Sequence, residues 1–329
     1  MDDYGVSQIT RRDRLIDGPV FPSTGSLRTS YCIFQEPWWL DAVASGGWQS
    51  LEVTRGARVV ARMPIVPRRI CGFNIIRQPP LTPTLGPWIE LSGTTMAKRL
   101  TEEKKLLNSL IDQLPKWDYI QLNFNHRITN WLPFYWRGFK QTTRYTYILN
   151  DISDLGKVWL GLQENVRRHI QNAERRLTVR SDLSVETFLD VVELTFSRQN
   201  RRLPFPRELF RCVEKACIAH DARRMFFAQD AEGRIHAALY LIMDASYAYY
   251  LLGGADPRLR SSGAQSLLCW EAIKLASGKN LKFDFEGSMI EPIERAFRAF
   301  GAVQVPYLQI YGAAPLAKVL LLIRELCRG

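Results

Sequence analysis

Two carboxylates stand two residues apart in the stretch KFDFEG, residues 282–287. The alternation predicts a strand with Phe283 and Phe285 on one face and Asp284 and Glu286 on the other. Two neighbouring acids on a buried strand cost free energy unless they are partnered or take part in chemistry. They could accept the proton of an amine nucleophile. The alternative is that they hydrogen-bond a neighbouring loop or pair with arginines.

The residues before this strand predict a strand, a glycine-containing loop and a helix. The strand YYLLGG, residues 249–254, ends in Gly253 and Gly254, which allow a ligand to approach the backbone closely. Ser262 is a natural helix N-cap, and Arg260 adds positive charge. Because a helix N-terminus carries unpaired N–H groups, the loop suits a phosphate or an acyl oxyanion. The alternative is an ordinary turn and cap.

Positive charge dominates the chain, with a formal net charge of +11. Such an excess favours a polyanionic partner such as RNA or an anionic membrane surface, although a basic enzyme with a solvated surface would also show it. Two arginine-rich segments could contact a phosphate backbone or be solvated helix faces. Their candidate residues are Arg167, Arg168, Arg175, Arg176, Arg201 and Arg202.

Composition limits the remaining classes. Hydrophobic residues make up 46% of the 329, as in globular proteins. The six cysteines include no CxxC pair and no histidine at zinc-ligand spacing, so we expect a reducing compartment and no metal site. The polar start, MDDYGVSQIT, is unlike a secretory signal, and no apolar run approaches the length of a membrane span. These features predict a cytoplasmic protein.

The elements that position the candidate residues form four predicted regions. Residues 1–30 are an extended leader, and residues 31–150 contain a tryptophan-rich helix, a hairpin and further strands. Residues 151–312 contain helices, three strands joined by short turns, and the strand–loop–helix–strand unit described above. Residues 313–329 read as an amphipathic helix packed on the body, with membrane-surface contact as the alternative. The fold class is α/β (α+β) with mixed, largely antiparallel sheets.

Several blocks resemble the FemABX-like acyltransferases of the tandem-GNAT superfamily, which includes peptidoglycan aminoacyl transferases and exopolysaccharide-associated acetyltransferases. The most specific block runs from YYLLGGADPRLRSSGAQ to FDFEGSMIEPIERAFRAFGA, and FQEPWWLDAVASGG and LQENVRRHIQNAERRLTV are similar to family segments. The resemblance covers roughly residues 31–312. It implies two GNAT-like halves and transfer of an acyl or aminoacyl group to an amine.

The resemblance also implies a donor site where two strands splay apart. Backbone N–H groups near Leu252 and Gly253 would stabilise the oxyanion. GNAT acetyltransferases bind the coenzyme A pyrophosphate with a loop of pattern Arg/Gln-x-x-Gly-x-Gly/Ala, and this chain has Gln265 where a small residue is expected. Arg298 stands where Fem-type transferases have a lysine that stabilises charge. The implied donor residues are Tyr250, Leu252, Gly253, Gly254, Arg260, Ser262 and Gly263, and the implied catalytic residues are Glu286, Asp284 and Arg298.

Three functions remain open at this stage. The first is aminoacyl transfer from aminoacyl-tRNA to an amine on a cell-wall precursor, peptide or small metabolite, with no tightly bound cofactor. The second is acyl transfer from acyl-coenzyme A to an amino sugar or amino acid. The third is an inactive GNAT-like protein that binds nucleic acid or a membrane surface, in which Asp284 and Glu286 would be structural.

Overall fold

The computed structural model describes residues 29–287 and 289–315, so most of the predicted leader and C-terminal helix lie outside the described residues. The tryptophan-rich segment forms a helix that begins at Pro37 and ends before Ser45, whose left-handed backbone stops it. Thr95 and Ser184 cap two later helices through their hydroxyl groups. The helices of the described part are α1 (Pro37–Ala44), α2 (Met96–Asp112), α3 (Leu132–Trp136), α4 (Leu155–Gly161), α5 (Glu164–Glu174), α6 (Val185–Ser197), α7 (Arg207–Ala219), α8 (Ala264–Gly278) and α9 (Glu291–Arg298).

The strands confirm the predicted hairpin and the three strands joined by short turns. In the hairpin, Arg55 pairs with Arg58 across a tight turn. The strands are β1 (Gln49–Arg55), β2 (Arg58–Ile65), β3 (Pro67–Ile70), β4 (Phe73–Arg77), β5 (Trp88–Ile89), β6 (Tyr119–Asn123), β7 (Lys140–Leu149), β8 (Thr178–Arg180), β9 (Arg223–Gln229), β10 (Ile235–Met243), β11 (Tyr247–Ala255), β12 (Lys282–Asp284) and β13 (Val303–Ala313).

Strands of both halves of the chain join in one ten-stranded sheet, of order β3-β4-β6-β13-β7-β12-β11-β10-β9-β8, while β1, β2 and β5 form a separate sheet. Only β4–β6 and β11–β12 pair in parallel within the large sheet. The predicted fold class, a mixed and largely antiparallel α/β architecture, is therefore confirmed. The division at residue 150 stays a prediction, and the late strand β13 pairs with the early strands β6 and β7.

Two hydrophobic cores cover opposite sides of the sheet around β11 and β12. One contains Phe283 and Phe285 together with the inner face of α8 and the buried side of α5. The other contains Tyr247 and Tyr249 with residues of α1, α6 and α7. The side chains of β11 and β12 therefore point alternately into two separate environments.

Candidate active site

The sheet opens between β11 and β12. The two strands pair in parallel only as far as Tyr249 opposite Asp284, although β11 continues to Ala255. On its other side β11 pairs with β10 through an irregularity that leaves Leu251 without an opposite residue. A bulge of this kind re-aims backbone groups, and bulges are over-represented next to active sites. The result is a gap in the sheet bordered by the second half of β11.

The gap exists because the chain turns away after Asp284. The Lys282 amide donates to the Ser246 carbonyl (3.0 Å). If the parallel ladder continued, the amide of Glu286, four residues after Lys282, would also donate to β11. That amide instead donates to Asp284 Oδ1 (2.8 Å). Glu286 has φ +60° and Gly287 φ +58°, and a Cβ at Gly287 would collide with the Tyr145 carbonyl. The prediction of a regular strand over residues 282–287 is therefore wrong beyond Asp284.

The Asp284 carboxylate is almost fully buried and accepts two hydrogen bonds. Its second donor is the Thr146 hydroxyl of β7. Burial raises the pKa of Asp284 to about 6, while the bonds from Thr146 and the Glu286 amide partly oppose this shift. The pKa of Glu286 is raised well above its usual value by burial and by the neighbouring carboxylates of Asp284 and Asp244. Two carboxyl groups that resist simultaneous ionisation are therefore brought together.

A small polar cavity of about 20 Å³ adjoins both carboxylates, which is room for about one water molecule. Burial and the nearby cations Arg127 and Lys282 lower the pKa of His126 to about 4, so this imidazole is neutral at neutral pH. The lining residues are Thr84, Asn125, His126, Thr146, Tyr249, Asp284, Glu286 and Tyr307.

Most of these lining residues were not found from the sequence. Tyr249 begins the predicted strand YYLLGG, but nothing local marks Thr146, which lies 138 residues from its partner Asp284. Asp244 begins the turn between β10 and β11, where its carboxylate accepts the Tyr249 hydroxyl (2.8 Å) and the amides of Ser246 and Tyr247. Only the pairing of β7 with β12 brings Thr146 to the site.

Arg298 is not brought together with the carboxylates. Its Nε donates to Glu294 (2.9 Å), which also accepts the Tyr147 hydroxyl (2.8 Å). Its neighbour Phe297 packs on Phe285, in the core that lies on the α8 side of the sheet. The structure thus places Arg298 in an ion pair on the α8 side, away from the cavity that Asp284 lines.

The glycines of β11 differ in their surroundings. The Tyr250 hydroxyl lies over Gly253, where any Cβ would collide with it, and Gln265 donates to that hydroxyl (2.6 Å). Gly254 packs against α6, because its Cβ would approach Val192 Cα to 2.6 Å. Gly253 therefore borders the gap under the Tyr250 ring, whereas Gly254 serves close packing. Leu252 lies opposite Tyr240 in the β10–β11 ladder.

The loop before α8 forms a turn that leaves Arg260 exposed. Gly263 has φ +80° and lies so close to the His169 carbonyl of α5 that a Cβ would not fit. Ser262 accepts the Ala264 amide (3.4 Å) at the start of α8. Arg260 is exposed and forms no ion pair with another described residue, whereas the exposed Arg258 of the same loop pairs with Asp256 (2.7 Å). The N-terminus of α8 and the side of α5 thus meet at one surface.

The other cationic candidates fall into two groups. Arg167 donates to the carbonyls of Leu160 (3.2 Å) and Leu162 (2.5 Å), so it satisfies carbonyl groups at the C-terminal end of α4. The other five are exposed and form no ion pair within residues 29–287 and 289–315. They are Arg168, Arg175 and Arg176 on and after α5, and Arg201 and Arg202 beside a cleft near α6.

Among the described residues, no group of histidine, cysteine or acidic side chains could hold a metal ion. None of the helices in the same residues is both long and apolar enough to cross a bilayer.

Comparisons with known proteins confirm the resemblance seen in the sequence. The acetyltransferase (GNAT) domain family matches residues 162–288. FemX is 13% identical, with a TM-score of 0.65 over 84% of this chain and 92% of FemX. L-PGS from Bacillus licheniformis is 10% identical, with a TM-score of 0.51 over 87% of this chain and 91% of that chain. At such identities the likeness shows the fold. No curated protein matches the sequence.

Replacing Asp284 by Asn should remove a pH dependence of stability. Because the folded protein raises the pKa of this carboxyl from 3.8 to about 6, its contribution is fully present below pH 3.8 and is lost as the pH rises through about 6. The shift corresponds to about 3 kcal/mol. Relative to Asp284→Asn, the wild type should therefore lose about 3 kcal/mol of unfolding free energy between about pH 3 and pH 7. Urea unfolding at several pH values measures this difference, and a pH-independent difference would contradict the assignment.

Proposed function

Because residues 162–288 match the GNAT acyltransferase domain in a chain with the fold of FemX, we propose that this protein transfers an aminoacyl group from aminoacyl-tRNA to an amine. The acceptor would be a cell-wall precursor, a peptide or a small metabolite. The observation that carries the proposal is the gap between β11 and β12, which has two carboxylates with raised pKa values at its edge. The strands part where an acyl carbonyl and an amine could meet.

The proposed reaction makes one bond and breaks one. The acceptor nitrogen bonds to the carbonyl carbon of the aminoacyl ester, and the ester bond to the ribose oxygen breaks. The nitrogen gives up a proton to Glu286, directly or through the water that the small cavity can hold, and the ribose oxygen takes up a proton. Backbone N–H groups near Leu252 and Gly253 would stabilise the oxyanion. Asp284 would hold Glu286 in place through its bond to the Glu286 amide.

The surface around the N-terminus of α8 supports a polyanionic donor. Arg260 lies just before α8, and Gly263 of the same loop contacts His169, the residue that follows the exposed Arg168 on α5. The exposed Arg175 caps the C-terminal end of α5. Helix N-termini and unpaired arginines bind phosphate well. We therefore propose that aminoacyl-tRNA binds there, that the protein acts in the cytoplasm where charged tRNA occurs, and that no cofactor is held tightly.

Acyl-coenzyme A is the second candidate donor, because Arg260 and Gly263 keep half of the pyrophosphate-binding pattern. Gln265 argues against it. This side chain stands where a small residue is expected and crosses to the Tyr250 hydroxyl over Gly253. A third candidate, an inactive protein that binds RNA or a membrane surface, would show binding and no transfer with either donor.

Replacing Glu286 by Gln should remove the base while keeping the shape of the side chain. We expect the transfer rate to fall about a hundredfold to ten-thousandfold. Because the pKa of Glu286 is raised, kcat/KM of the wild type should rise with pH above the ordinary carboxylate range, and the variant should lack this rise. Glu291→Gln, an exposed carboxylate paired with Arg295 on α9, is the matched control. Circular dichroism should show both variants folded.

Turnover of Glu286→Gln within about twofold of the wild type would exclude Glu286 as the base. An unfolded variant would instead support the alternative that the two acids hold the turn together.

Replacing Arg168 and Arg175 together by Gln should weaken tRNA binding and flatten its dependence on salt, because fewer phosphate counterions are released. Exposed Arg68 and Arg69 of β3, replaced together, form a control with the same loss of charge. Filter binding at several salt concentrations measures both slopes. Salt-insensitive binding of coenzyme A, with no binding of tRNA, would favour the second candidate donor.

A further inference from the structure

A polar cleft of about 320 Å³ opens on the surface beside the small carboxylate cavity. We propose that this outer cleft binds the acceptor, and that the acceptor carries an anionic group, phosphate or carboxylate, which binds Arg77 while its amine reaches Glu286. The inference rests on the proposed transfer to an amine. The cleft is lined in part by Arg77, Gln78, Gln121, Asn123, Leu251 and Gln309.

The outer cleft and the carboxylate cavity are adjacent because the same chain segments line both. Four segments line both spaces. In each segment, one residue lines the outer cleft and the residue two positions away lines the carboxylate cavity. The pairs are Thr82 and Thr84, Asn123 and Asn125, Leu251 and Tyr249, and Gln309 and Tyr307. Residues two apart on extended chain lie on one face, roughly 7 Å apart. A molecule in the outer cleft therefore lies about one such step from the carboxylates.

Strand pairing places Arg77 at the end of the outer cleft that lies away from the carboxylates. Arg77 ends β4, directly opposite Gln121 of β6. Gln121 is followed at two-residue intervals by Asn123, which lines the outer cleft, and by Asn125, which lines the carboxylate cavity. Four residues of extended chain span roughly 13 Å. The acceptor should therefore carry its amine and its anionic group roughly 13 Å apart.

The chemistry of the walls favours an anionic, hydrophilic acceptor. Arg77 is exposed and forms no ion pair with any described residue, so its guanidinium is free to bind a phosphate or carboxylate through two parallel hydrogen bonds. The neighbouring amides are fixed in place. Gln309 donates to Asn123 Oδ1 (2.7 Å), and Gln78 donates to two backbone carbonyls (2.9 Å each).

The size of the cleft sets a second limit. Its volume lies at the lower end of the range for small-molecule sites. A small metabolite or the end of a short chain fits there, whereas a folded protein does not. The bulged residue Leu251 forms the wall nearest the gap, so the acceptor would pass it on the way to the carbonyl.

Binding of matched probes to the full chain tests the proposal without any donor. The probes are 8-aminooctyl phosphate, 9-aminononanoate and the uncharged 8-aminooctanol, each measured by calorimetry. Hydrogen bonds to charged groups contribute about 1.5–3 kcal/mol, so the anionic probes should bind wild type about tenfold or more tightly than the alcohol. Arg77→Gln should lose that advantage. Arg69→Gln, which removes an exposed arginine from the neighbouring strand β3, should keep it.

Comparison of the two anions identifies the group, because the preferred probe shows whether phosphate or carboxylate is bound. Equal binding of the alcohol and both anions by wild type would overturn the proposal, as would equal losses in Arg77→Gln and Arg69→Gln. Transfer to the bound probes is measured separately with the aminoacyl donor. Arg77-dependent binding without transfer would contradict the proposed activity and support the binding site.

Discussion

One carboxylate decides where the large sheet opens. Asp284 accepts the Glu286 amide, a group that would otherwise continue the ladder to β11, and a side chain that offers such a bond competes with sheet formation. The Thr146 hydroxyl of β7 donates to the same carboxylate oxygen. Because both bonds meet at a single buried oxygen, the end of β12, the turn at Glu286 and the gap beside β11 all depend on it.

The gap joins two sides of the sheet that differ in chemistry. On one side, α8 and α5 pack over Phe283 and Phe285, and the loop before α8 exposes Arg260. On the other side lie the carboxylates, Tyr249 and the small polar cavity. In the proposed reaction, the acyl donor approaches from the α8 side and the amine acceptor from the carboxylate side, and they meet in the gap.

Pairing over long sequence distances completes the walls of the two polar spaces. β13, near the end of the described chain, lies between β6 and β7. It pairs Gln309 with Asn123 of β6, 186 positions earlier, and Tyr307 with Arg144 of β7. β7 in turn pairs with β12 and delivers Thr146. Neither half of the chain alone therefore contains the walls of the two polar spaces.

The sequence predicted the features that depend on residues close together in the chain. The hairpin at Arg55, the strand–loop–helix–strand unit and the pairing of β11 with β12 followed from alternation, turn residues and the family resemblance. The early end of β12 did not follow, because it needs the left-handed backbone of Glu286 and the contact of Gly287 with β7. The packing of Gly254 on α6 likewise depends on a tertiary neighbour. The ion pair of Arg298 with Glu294, in contrast, is an i,i+4 pair within α9, a spacing that is visible in the sequence.

The most direct test is a crystal structure of the protein with an aminoacyl-adenosine whose ester is replaced by a stable amide. We expect the carbonyl to lie in the gap between β11 and the turn at Glu286, with its oxygen near the amides of Leu252 and Gly253. The adenosine should extend toward Arg260 and the start of α8. An analogue bound elsewhere, or a gap closed by continued pairing of β11 with β12, would contradict the proposed reaction.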